Sequence, residues 1–532
     1  MGIRFLFLII VLLVARPAGA QEWDVLVTGG TVIDGTGAPG YRADVAVRDG
    51  RIVRVSRAPL PRAGAREVLD ASGLVVAPGF VDLHAHLDPL LRLPLAESAL
   101  RQGVTTAVGG PDGGSPLPLA PYLDSARALG VGVNVAFLVG HNDVRREVLG
   151  MADRAPTDAE LARMRRLVAE AMGQGAFGLS TGLKYLPGAY STVDEVVALA
   201  RTAADSGGIY TSHLREEGLG LLDGVAEALE IGRRARIPVV LTHHKAVGQP
   251  MWGKSTVTLA MVDSARAAGT DVMVDQYPYT ATHTGISVLV PAWAMAGGDS
   301  AFTRRLADPA LRDSIHRDIV YALRTDRGGG DLRRVQFARV PWKKDLEGRT
   351  LHDWVVERGL APTMENAAPL VVEATRARGG TNAIYHVLDE RDVERIMRHP
   401  QAMIASDGRL SRPGEAHPHP RAYGTFPRVL GVYVRERKVL GLEEAVRKMT
   451  AMPATRLGLA DRGRVAEGLV ADLVVFDAAT VADRATFEKP HAYPVGIRWV
   501  LVNGELAVQD GAATGVRAGR VLRRGATTME RP

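Results

Sequence analysis

Apolar and polar positions alternate with a period of two at both ends of the chain, the spacing of strands that bury one face. Asp24-Val-Leu-Val-Thr runs into a Gly29-Gly30 turn and Thr31-Val-Ile. Ala43-Asp-Val-Ala-Val then turns at Asp49-Gly50 into Arg51-Ile-Val-Arg-Val. Near the other end, Ala471-Asp-Leu-Val-Val-Phe and Ile497-Arg-Trp-Val-Leu-Val precede an Asn503-Gly504 turn and Glu505-Leu-Ala-Val. Lone hairpins are marginal in water. The two β-rich ends, 21–78 and 461–532, are therefore expected to join in one small β-sandwich.

Between them, over 79–460, short apolar runs alternate with helical periodicity. Strands are expected at Thr105–Val108, Gly132–Val139, Ala176–Ser180, Ile209–Ser212, Val239–Thr242, Asp271–Asp275 and Met403–Ser406, besides one ahead of His84 that follows the apolar run Leu74–Ala77. Amphipathic helices are expected at 158–171, 192–206, 222–235 and 257–268. Eight strands with helical connections predict an α/β chain folded as a (β/α)8 barrel. A doubly wound sheet is the second choice, since it would not usually return the chain to its own N-terminal β layer. A long helical excursion, about 286–395, separates the last two strands and is large enough to form a lid.

Composition narrows the picture. The chain has 532 residues, 46% hydrophobic and 23% charged, with 58 glycines and 30 prolines spread throughout, which describes a turn-rich globular protein. Residues 1–20 read as an export signal: Arg4, the apolar stretch Phe5–Val14, and the small-residue site Ala18-Gly19-Ala20. The expected location is periplasmic or secreted, with an uncleaved N-terminal anchor as the alternative. No later stretch reaches membrane length, so stable membrane insertion is not expected. The formal charge is +6, with basic and acidic residues interleaved and no basic stripe, which argues against a nucleic-acid partner. Cysteine is absent, so the chain has no disulfide, no thiol nucleophile and no thiolate ligand. Any metal must be held by His, Asp, Glu or a modified lysine.

Ligand-capable residues follow most of the expected strands: His84 and His86, then Asp112, His141, Ser180, Thr181 and Lys184. His213, His243, His244 and Lys245, Tyr277 and Tyr279, and finally Asp407 continue the series. A barrel gathers the C-terminal ends of all its strands on one rim, where such folds carry their chemistry. Taken singly, each histidine reads as structural; taken together, they point to a metal site. Neutral imidazole is a strong zinc ligand.

The motifs Gly79-Phe-Val-Asp-Leu-His-Ala-His, Gly178-Leu-Ser-Thr-Gly-Leu-Lys-Tyr-Leu-Pro-Gly and Tyr210-Thr-Ser-His-Leu-Arg-Glu appear in that order. Thr242-His-His-Lys-Ala, Ala405-Ser-Asp-Gly and His419-Pro-Arg-Ala-Tyr-Gly-Thr-Phe-Pro follow them. In this series the chain resembles the amidohydrolase superfamily and, within it, the N-acyl-D-amino-acid deacylase (D-aminoacylase) family. The resemblance implies one tightly held zinc on His213 and His243, completed from the loop after the second strand. The family commonly has cysteine there; this chain has Gly110-Pro111-Asp112-Gly113, so Asp112 stands in for the thiolate and other divalent ions become competitive. His84, His86 and Asp407 match a second metal position. A carboxylated Lys184 is the alternative bridging ligand. The arrangement makes Asp407, next to the metal-bound water, the expected general base and acid, with His141 or His244 as the candidate helper at the oxyanion and packing as the alternative role of each. Lys245, Tyr277, Tyr279 and Arg421 are implied to bind the free α-carboxylate.

The implied reaction is metal-dependent hydrolysis of an N-acyl-D-amino acid or short peptide with a C-terminal D-residue. A metallo-dipeptidase or a cyclic-amide or lactone hydrolase is the alternative. The D preference, the acyl length and the oligomeric state have no signature in composition or spacing.

Overall fold

The computed structural model describes residues 22–525. The expected export segment, 1–20, lies outside the described residues. Among those described, no helix is long and apolar enough to cross a membrane.

Eight barrel strands run in order: Phe80–Asp82, Val104–Gly109, Asn134–Phe137 continuing as Val139–Gly140, Gly178–Gly182, Ile209–His213, Val239–Leu241, Val272–Gln276 and Ala402–Ile404. Every neighbouring pair is parallel. The ring closes just beyond the eighth strand, where Gly408–Arg409 pairs in parallel with Ala85–His86 and Asp407 N–H donates to the His84 carbonyl at 2.9 Å. Val81, Val108, Ala136, Phe177, Val240 and Met403 fill the interior, as a barrel of this size requires. Helices Asp158–Gly173, Val193–Asp205, Leu221–Ala235 and Ser255–Ala267 bury their apolar faces on the outside. Thr157 opens the first of these with a capping box to Glu160.

The structure corrects one expected element. The run Leu74–Ala77 does not lead into the barrel. It forms Val75–Pro78, which pairs antiparallel with Leu473–Phe476 and parallel with the end of Trp23–Val32. The first barrel strand is the short segment after it. Gly79 is the junction, because a Cβ there would lie 2.2 Å from the Thr105 side chain.

The two chain ends form one continuous nine-stranded sheet in which Leu473–Phe476 and Val75–Pro78 are the seam. Trp23–Val32 shifts register between Val27 and Gly30, and its two halves pair with Ala65–Asp70 and Val75–Pro78. That bulge lets the sheet fold around Val25, Val27, Val45, Val47, Val475 and Leu501. The final described stretch leaves the sheet and crosses the barrel, bridging Gly519 to Val131 and Val521 to Val135.

The insertion starts earlier than the pattern suggested, at the strand Thr282–Gly285. With Asn382–Tyr385 and Val335–Arg339 it makes a three-stranded antiparallel sheet. Helices Pro309–Thr325 and Met364–Arg376 pack on this sheet around a separate core of Ile315, Leu323, Phe337, Trp354 and Val371. Helix Glu390–Arg398 rejoins the barrel wall, burying Val393, Ile396 and Met397 in its outer core.

Candidate metal centre and cleft

A cleft of about 850 Å³ opens where the barrel strands end, roofed on one side by Thr282, His283, Arg327 and Arg339 of the insertion. At its floor two groups of side chains converge, His84, His86, Asp112 and Asp407 in one and Asp112, His213 and His243 in the other. The ligand atoms of each group lie within 4.8 Å of one another. Asp112 belongs to both. Its Oδ1 lies 3.3 Å from His243 Nε2, 3.4 Å from His84 Nε2 and 3.8 Å from His213 Nδ1, and its Oδ2 lies 3.6 Å from His86 Nε2. His213 Nδ1 and His243 Nε2 are 2.7 Å apart. Asp407 Oδ1 completes the first group, 3.1 Å from His86 Nε2 and 3.6 Å from His84 Nε2.

Local backbone places these groups. Asp112, His243 and Asp407 all have positive φ, at 54°, 36° and 49°, a conformation non-glycine residues adopt at a cost. Each is braced. Asp275 at the end of the seventh strand accepts the His243 N–H at 2.6 Å. Asp82 accepts the Ser406 N–H at 2.9 Å, holding the turn before Asp407. Ser180 Oγ donates to the Gly110 carbonyl at 2.5 Å and accepts from Gly113 N–H at 3.2 Å, pinning the Asp112 turn from both sides. Gly110 must lack a side chain, since a Cβ would lie 2.4 Å from the Leu138 carbonyl oxygen.

The donor set fits a divalent ion. Nε2 of His84 and Oδ1 of Asp112, 3.4 Å apart at the floor, are buried without a hydrogen-bond partner. Orphaned buried polar atoms are rare and costly, and here they cluster as imidazole nitrogen and carboxylate oxygen, the chemistry zinc accepts. The protonation states agree with this. Burial pushes His213 down to about 4, leaving a neutral imidazole ready to ligate. Burial would raise Asp112, but the His84 and His243 imidazoles outweigh it and hold the carboxyl well below its usual range. At His243 burial and Lys245 press the value down, and Asp112 and Glu217 outweigh them and raise it to about 10. Asp407 likewise stays ionised: burial opposes its charge, and Arg421, His86 and His243 prevail.

Of the residues singled out from sequence, the floor holds His84, His86, Asp112, His213, His243 and Asp407, and the wall holds Lys245, Tyr277 and Arg421. Arg421 Nη1 sits 2.8 Å from Asp407 Oδ2 and stacks over Tyr277, whose buried hydroxyl has no partner. Four residues lie elsewhere. His141 begins the helix His141–Leu149 and turns away from the cleft, with Nε2 2.8 Å from Glu195 in a fully buried network with Arg145. It is a packing residue, without reach to an oxyanion. Lys184 pairs with Glu216 at 2.8 Å and lies 4.0 Å from Asp326, outside both groups at the floor, so it is not the bridging ligand. Tyr279 packs behind the wall against His419 and Phe487, with Arg428 over its ring, and does not line the cleft. His244, bound to Thr258 Oγ1 at 2.8 Å, is structural as well.

Sequence reasoning missed Glu217, Arg327 and Tyr185. In Arg215-Glu216-Glu217 each side chain takes a different course. Arg215 pairs with Glu227, Glu216 with Lys184, and Glu217 points inward beneath His213 and His243. Burial opposes the charge on Glu217, but His213, Lys245 and His243 hold its carboxyl well below the usual range. Tyr185 packs against His213 with its ring tilted by 47° and the ring centroids 4.4 Å apart.

Comparison with known proteins places this site. The chain matches the amidohydrolase family over residues 67–508. It is 40% identical to a D-aminoacylase of Alcaligenes xylosoxydans xylosoxydans, covering 95% of this chain and 98% of that protein. It is also 40% identical to an N-acyl-D-glutamate deacylase of the same organism, covering 96% and 99%. Its backbone matches the crystal structure of an N-acyl-D-glutamate deacylase from Bordetella bronchiseptica with a TM-score of 0.80 and 37% identity, over 94% of this chain and 99% of that one. That protein was crystallised with zinc and a phosphonate inhibitor, a mimic of the reaction's tetrahedral intermediate.

Proposed function

Because this chain belongs to the amidohydrolase superfamily and, within it, to the D-aminoacylase family, we propose that it hydrolyses the amide bond of N-acyl-D-amino acids. The products are a carboxylic acid and a free D-amino acid. One observation carries the reading: a single carboxylate, Asp112, joins two imidazole groups at the base of a cleft, with Asp407 beside them.

His213, His243 and Asp112 would hold the tighter divalent ion, and His84, His86 and Asp407 a second. The ion supplies a Lewis acid that polarises the amide carbonyl and acidifies water. Asp407 is ionised and faces the same floor, so it can take the proton as water attacks. It can then pass that proton to the departing nitrogen, without which an amide nitrogen leaves poorly. Arg421 keeps Asp407 as a carboxylate and fixes its second oxygen. Arg421, Lys245 and the unpartnered Tyr277 hydroxyl line one wall and suit a substrate carboxylate.

The test is hydrolysis of paired N-acetyl-D- and N-acetyl-L-amino acids by purified protein. The expected kcat/KM ratio favours the D series by at least about 100-fold, the scale that one misplaced group in a pocket produces. Equal turnover of both hands would discard the D assignment. Cleavage of cyclic amides alone would replace the substrate class.

A further inference from the structure

Glu217 is 2% exposed and has four cationic or imidazole groups within 3.5 Å, two at each oxygen. Oε1 accepts from Lys245 Nζ and lies 3.2 Å from His243 Nδ1. Oε2 lies 3.0 Å from Arg327 Nη2 and 3.5 Å from His213 Nε2. Each oxygen therefore faces one cation and one imidazole, and Lys245 Nζ, 2.6 Å from His243 Nδ1, sits between Oε1 and that ring. The imidazole atoms involved are the ones facing away from Asp112, since His243 offers Nε2 and His213 offers Nδ1 to that residue. A carboxylate on the outer nitrogen fixes the tautomer and angle of a ligating ring and raises its basicity.

The two cations differ in origin. Lys245 follows the sixth barrel strand, whereas Arg327 belongs to the insertion, just beyond the helix Pro309–Thr325. A glycine turn, Gly328-Gly329-Gly330, folds the chain back at that point, with Gly330 N–H donating to the Leu323 carbonyl at 3.0 Å. This drives Arg327 inward until it is 2% exposed. The surfaces are in intimate contact there: a Cβ on Gly218 would lie 2.5 Å from Asp326 Oδ1. Without Arg327, Lys245 alone would draw the carboxylate to one side and release its hold on His213.

We propose that Arg327 is a positioning residue that acts through Glu217 on His213 and His243, so that seating of the insertion sets how tightly the floor holds its metal. The inference rests on the metal-site reading above. Coupling of this kind is reciprocal: a seated insertion tightens the metal, and bound metal steadies the insertion.

The measurement is zinc affinity of the purified full chain, read by competition with a chromogenic chelator, with no dependence on turnover. Glu217→Gln and Arg327→Met are each expected to weaken zinc by about 10–100-fold, and Arg327→Lys by less than Arg327→Met. The double variant E217Q/R327M should bind no worse than E217Q, because one residue acts through the other. Arg358→Ala, in the same insertion and paired with Glu373, should leave affinity unchanged. In the wild-type protein, zinc should slow hydrogen exchange over 326–331. R327M within about twofold of wild type, far below the usual cost of losing such a partner, would overturn the proposal. So would a double variant equal to the product of the singles, or exchange unaffected by zinc. Wild-type protein that takes up no zinc would overturn the metal-site reading itself.

Discussion

Asp407→Asn is expected to lower kcat by about 10²–10⁴, the range lost with a positioned general acid–base, while the tightly held zinc stays bound. Asparagine keeps the shape of the side chain but cannot take a proton from water or return one to the leaving nitrogen. The tight position is spared because its donors are Asp112, His213 and His243. The second position, built on His84, His86 and Asp407, should weaken. Arg421 also loses its partner, and an unpaired buried guanidinium costs about 3–5 kcal/mol of stability. Turnover and zinc content should therefore be measured well below the unfolding midpoint. Loss of all zinc, or a kcat near that of wild type, would show that Asp407 has a different role.

Asp112→Ala is expected to have the larger effect, removing metal and rate together. Asp112 is the only residue common to both groups, and its Oδ1 is within 4 Å of three imidazoles. Without it, the tight position keeps two imidazole nitrogens and no anionic ligand to balance a divalent ion. Zinc per chain should fall below one after dialysis, and turnover should fall by more than in Asp407→Asn. Asp112→Cys should hold zinc again, because a thiolate carries the same charge and is a softer ligand. Full metal content in the alanine variant would remove Asp112 from the centre.

Much of this architecture is legible in the residue pattern, and the exceptions have physical causes. Seven of the eight barrel strands announce themselves as short apolar runs ahead of polar residues. The first does not, because the longer apolar run before it, Leu74–Ala77, is buried in the sandwich seam instead. Period-two reasoning also treats any histidine after a strand as facing the rim. At His141 the chain has already entered a helix, and the ring turns outward to Glu195. Lys184 and Tyr279 fail for a related reason, since a residue a few positions past a strand end is directed by loop packing. The Asp112 turn is different: glycines on either side of Pro111-Asp112 mark a tight turn. Glu217 and Arg327 carry no local mark. They lie 110 positions apart and meet only because an independently packed insertion presses one side chain onto the barrel floor.

The account stands on a divalent ion seated between Asp112, His213 and His243. Anomalous diffraction from crystals grown with zinc, collected at the zinc absorption edge, tests this directly. The predicted result is a strong peak about 2.0–2.2 Å from a carboxylate oxygen of Asp112, Nδ1 of His213 and Nε2 of His243. A clear map with no peak at that floor, from protein that still cleaves N-acyl-D-amino acids, would contradict it.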